Sequence, residues 1–144
     1  MSKYLCALLA MLALTTAAGC GGPSREDYAD DLNKVCKRSD ERIRTVKMPR
    51  TIKEIASVAR RARLIAKHRI KEAKDLELPD DQRERFQDYN DDFEKSLGGL
   101  RELEKAAARE DRAAVQRVFA TTIEENRQLD VKARRLGLTE CLTR

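Results

Sequence analysis

Four stretches of this chain repeat apolar residues at steps of three and four, and three short breaks separate them. That pattern leaves little choice of fold. Tyr28, Leu32, Val35, Ser39, Ile43 and Val46 fall along one helical face, the first stripe. Ile52, Ile55, Ala56, Ala59, Ala62, Ile65, Ala66, Ile70 and Ala73 form the second. Phe86, Tyr89, Phe93, Leu97, Leu100 and Leu103 make the third, and Val115, Val118, Phe119, Thr122, Leu129, Ala133 and Leu136 the fourth. Only three Gly and two Pro follow Pro23, too few to punctuate a sheet of many turns. Aromatics are 4% of the chain and Trp is absent, so an aliphatic and modest core is expected. The expected fold is all-α, an antiparallel up-down-up-down four-helix bundle over residues 25–144.

Local signals mark where each helix starts and stops. Ser24 with Asp27, and Thr51 with Glu54, have capping-box spacing. Met48-Pro49 and Leu78-Pro79 end the first two helices, since a residue before proline is pushed out of helical geometry. The predicted spans are about 25–46 for the first helix and 51–76 for the second. The third is capped by Asp80 or Asp81, and the fourth by Asp111 after a turn at 108–110. The third helix contains Gly98-Gly99, where a kink, a close helix approach or a break into two helices is expected. Gly137 fits the left-handed residue that closes a helix, with Leu138 folding back.

Ahead of this domain, Lys3 precedes an apolar run from Tyr4 to Leu14, followed by small residues up to Cys20. This is the layout of a secretion signal, and the uncharged stretch falls short of the roughly 20 residues a spanning helix needs. Ala17-Ala18-Gly19-Cys20 resembles the bacterial lipobox, departing from it at Ala17, where that family carries Leu. The resemblance implies cleavage before a Cys20 that bears diacylglycerol. The expected organisation is a lipoprotein signal at 1–19, a lipidated Cys20 with a short tether at 20–24, and the helical domain beyond. Ordinary cleavage after Ala18, giving a secreted protein, is the alternative.

Cysteine arithmetic agrees with lipidation. Cys6 leaves with the signal and Cys20 takes the lipid, so Cys36 and Cys141 remain and most simply pair outside the cell. An up-down-up-down bundle returns the end of the fourth helix to the start of the first, bringing the two within reach. Their distance from any Cys-x-x-Cys arrangement argues against a redox-active pair.

With these motifs in place, the chain resembles the small helical lipoproteins and exported proteins of actinobacteria. The shared features are the lipobox, an Asp27-Tyr28 opening to the first helix with Cys36 in its middle, and the closing Gly137-Leu138-Thr139-Glu140-Cys141. The resemblance implies an envelope location and a helical fold. It carries over no enzymatic role.

Between Arg50 and Lys74 nine Lys or Arg face two Glu, and between Asp80 and Asp111 eleven acids face six bases. The candidate anionic-surface residues are Lys53, Arg60, Arg61, Arg63, Lys67 and Lys71, for a lipid or polyanion partner. The competing expectation is simple charge complementarity between the second and third helices. Nucleic acid is disfavoured by export and by the lack of interleaved aromatics. No cofactor or metal is expected: the single His68 projects away from the apolar stripe, and no inward Glu-x-x-His pair exists. No nucleophile elbow, phosphate loop or paired base is found, so no enzyme is expected. Thr122 and Asn126, polar within an apolar stripe, either line a small pocket, fix the bundle's register, or sit part-exposed at the stripe's edge. The functional expectation is a lipid-anchored, non-catalytic binding or scaffolding module of the bacterial envelope, held to membrane lipid through Cys20, with an envelope protein or a polyanion as partner. The alternative is an extracytoplasmic carrier or sensor holding a small apolar or anionic ligand between helices.

Overall fold

A computed structural model describes residues 22–143; the signal segment, Cys6, Cys20 and Gly21 lie outside the described residues, as does Arg144. The chain forms four helices and no strand among those residues: α1 (Arg25–Arg44), α2 (Ile52–Lys74), α3 (Arg83–Ala108) and α4 (Arg112–Leu136). Short connections turn each helix back on the last, as the apolar stripes require. The α2–α3 pair shares the longest interface, followed by α3–α4 and then α1–α2.

The ends follow local chemistry. Ser24 Oγ accepts the Asp27 N–H, Thr51 Oγ1 the Glu54 N–H, and Asp111 Oδ1 the Ala114 N–H, each satisfying a donor that the first helical turn leaves free. At α4, Gly137 adopts a left-handed conformation (φ 78°), and Leu138 N–H reaches back to Ala133 C=O at 2.9 Å while its side chain is buried. The start of α3 differs from the expected Asp cap. Pro79 leads into a 3-10 turn, Asp80–Gln82, and α3 begins with no side-chain cap. The Asp80 carboxylate instead accepts from Arg83 at 2.6 Å. At the end of α1, Thr45 caps the last turn, its Oγ1 bonding Arg42 C=O at 2.7 Å, so the helix stops before Val46.

α3 runs unbroken through Gly98 and Gly99. A methyl group at Gly99 would meet Thr122 Oγ1 at 2.9 Å, whereas one at Gly98 would meet nothing within 4 Å. Gly99 therefore serves a close approach of α3 to α4.

Two cores hold the bundle. The first contains Tyr28, Leu32, Val35 and Cys36 of α1, Ala73 of α2, Phe86 and Tyr89 of α3, and Ala133, Leu136 and Leu138 from the end of α4. Tyr28 meets Phe86 edge-on at 4.6 Å between ring centres, and its hydroxyl accepts from Asn90 Nδ2 at 3.0 Å. The second core, around Ala59, Leu103, Ala106, Ala107 and Val115, draws on α2, α3 and α4 alone. α1 thus contributes to only one end of the bundle, and Ile43 near its C-terminus is 37% exposed.

The disulfide Cys36–Cys141 joins the middle of α1 to the tail after α4, with Cα atoms 5.0 Å apart. Asn33 reinforces the junction: its Nδ2 donates to Gly137 C=O and its Oδ1 accepts the Glu140 N–H. A disulfide closing so long a loop stabilises by about 4–5 kcal/mol at most in the chain-entropy treatment.

Candidate functional site

Between the two cores the packing thins. The residues at this level of α1 and α2 are small or polar (Ser39, Asp40, Ala62, Ala66), and across from them α4 presents Thr122 and Asn126. Short side chains facing one another leave a cleft of about 330 Å³, with walls from all four helices and the disulfide-held tail. Phe93, Leu97 and Leu100 of α3 line its apolar side. Thr122 and Asn126 are both half-buried, and they line this pocket.

The cleft is polar at the end nearest the tail. Arg69 of α2 donates to Tyr89 Oη at 2.7 Å, and its guanidinium stacks over the Phe93 ring at 3.7 Å from the centroid. Burial pushes the Tyr89 hydroxyl above its ordinary titration range, only partly opposed by Arg69, so this phenol stays neutral. Arg69 has no carboxylate within ion-pair distance among the described residues. Asp130, opposite, accepts from both the N–H and the hydroxyl of Thr143 and so holds the tail against the cleft wall. A cleft with hydrogen-bonding groups around Arg69 and Tyr89 and apolar side chains of α3 on one wall suits an amphipathic molecule. The sequence places Tyr89 in the third apolar stripe and gives neither it nor Arg69 a role at a site. Arg69 looked like one more cation of a basic helix, and only the tertiary fold turns it inward.

The six basic residues of α2 disperse. Arg60 Nε and Arg63 Nη2 both reach Glu104 of α3, at 2.7 and 2.9 Å, and these hydrogen bonds, Arg60's first, hold the Glu104 carboxyl below its usual range. Lys53 pairs with Glu110 and Lys71 with Asp75. Arg61 and Lys67 carry no ion pair among the described residues. Lys74, just beyond the set, adds a pair with Glu94 of α3 at 2.6 Å. Charge complementarity between α2 and α3 therefore engages two of the six candidates, Arg60 and Arg63, and Lys53 reaches Glu110 in the turn after α3. His68 is exposed, its Nδ1 3.2 Å from Glu72 one turn on.

Among the described residues no group of three or more His, Cys, Asp or Glu is placed to hold a metal ion, and no helix is long and apolar enough to cross a membrane. Fold and cleft together define an all-α, disulfide-stapled four-helix bundle with an internal groove. No family model, curated protein or solved structure matches the chain.

Proposed function

We propose that the protein is a lipid-anchored, non-catalytic binding module of the bacterial cell envelope that holds a small amphipathic molecule in its central cleft. The cleft carries the reading. Its volume of about 330 Å³ lies just above the roughly 300 Å³ at which ligand sites begin. A scaffold with a closed core would need no such space, nor an arginine stacked on its wall. The signal layout, the Ala18-Gly19-Cys20 junction and the likeness to exported actinobacterial lipoproteins support the location.

Filling the cleft tests the reading. Binding of anilinonaphthalene sulfonate, an apolar dye with an anionic group, is expected to be saturable in the wild type and lost in Ala66→Phe. The variant is expected to keep its helical circular dichroism and melting temperature, because the added ring enters empty space. Equal dye binding in both proteins, or a strongly lowered melting temperature from overpacking, would show that the cleft is not a ligand site.

A further inference from the structure

The corner between α1 and α2 is built differently from the rest of the basic surface. Met48 in the connection is 85% exposed and Leu64 on the outer face of α2 is 57% exposed. Both border one open hollow of about 970 Å³, together with Val46 and the cations Lys47, Arg50 and Arg61. Those three cations have no ion-pair partner among the described residues. Arg60, which also borders the hollow, is engaged by Glu104. The only acid at the rim, Glu54, is committed to the start of α2: its Oε2 accepts the Arg50 N–H at 2.6 Å.

We infer that this corner is an interfacial docking surface for an anionic phospholipid bilayer. Free cations around projecting apolar side chains match the two layers of a membrane surface: anionic headgroups for Lys47, Arg50 and Arg61, and the acyl boundary for Met48 and Leu64. A soluble polyanion would satisfy the cations and leave both apolar tips in water, so the composition favours lipid. Proline at position 49 holds the connection in a non-helical conformation. Met48 is thereby presented outside the helix ladder. The corner lies at the far end of α1 from Gly22, about 30 Å along a helix of 20 residues. It is therefore a second contact with the membrane, separate from Cys20 and from the cleft.

The chain contains no Trp, so Met48→Trp in the full-length protein gives a single reporter at the corner. In vesicles of phosphatidylglycerol and phosphatidylcholine in equal parts, its emission is expected to shift to the blue and to be quenched by brominated acyl chains. Adding Lys47→Gln, Arg50→Gln and Arg61→Gln is expected to weaken this insertion by roughly fivefold per residue. Pure phosphatidylcholine is expected to give little response. All four positions are exposed, so retained helical circular dichroism and an intact disulfide confirm that the variants fold. Solvent-like emission in anionic vesicles overturns the inference. So does quenching unchanged by the three substitutions, and so does heparin binding without quenching by brominated lipid.

Discussion

At the scale of single residues, two neighbouring glycines have opposite roles. Gly98 faces open space, while Gly99 is where α3 passes Thr122. A glycine inside a helix costs roughly 1 kcal/mol against alanine. Gly98→Ala is therefore expected to stabilise the protein by about 0.5–1 kcal/mol, read as a raised midpoint in urea denaturation. Gly99→Ala places a methyl against a hydroxyl on a β-branched side chain that has little freedom to move. That variant is expected to gain nothing or to lose stability, and Thr122→Ala in the same chain is expected to restore the gain. Equal effects at the two positions would refute the close-approach role. The pair of glycines was visible in the sequence, but which one mattered was not, because the answer lies on the facing helix.

At the scale of elements, three carboxylates each tie a different pair of helices. Glu72 of α2 accepts from Arg38 and Arg42 of α1, Glu104 of α3 from Arg60 and Arg63 of α2, and Asp92 of α3 from Lys132 of α4. In each case the hydrogen bonds to the cation are the largest cause of a carboxyl pKa lowered from its ordinary value of 4.5 or 3.8. Groups lowered on folding stabilise above their unfolded pKa, and that contribution disappears as pH falls through the lowered folded value. The melting temperature is expected to be flat from neutral pH down to about 5, then to fall as acid titrates these groups. High salt should blunt the fall, since all three lie near the surface. A melting temperature that rises below pH 4 would contradict the assignment.

Element ends were largely legible because caps are local: Ser24, Thr51, Asp111 and Gly137 act within one turn of themselves. The start of α3 was misread for the same reason. Asp80 has a nearer partner in Arg83 than the helix N–H groups, and spacing does not rank competing local bonds. The apolar stripe of α1 predicted a face but not its partners. Its second half borders the cleft rather than a closed core, and Ile43 stays part-exposed there.

At the scale of the whole molecule, the described chain enters at one end of the bundle and the disulfide ties its tail to the middle of α1. Gly22 lies beside the α2–α3 connection, near Glu77 and Leu78, and the Cys36–Cys141 junction holds the tail against α1. If Cys20 carries the lipid, fatty-acid label is expected to enter the wild-type protein when it is expressed in a bacterium. Cys20→Ser is expected to lose the label and to leave the membrane fraction or accumulate uncleaved. An unlabelled wild type would point to plain secretion. Neither result depends on the fold, because Cys20 precedes every helix among the described residues.

The disulfide also makes most of the chain a closed ring, with its two cysteines 105 positions apart. Any single peptide-bond cut inside that ring, at the exposed Met48 corner or the turn before α4, leaves both pieces covalently joined. A protease nicking the protein there would shed nothing. Both fragments would keep their attachment to whatever holds the first residues of α1, and only a reductant acting after the cut would release the distal half.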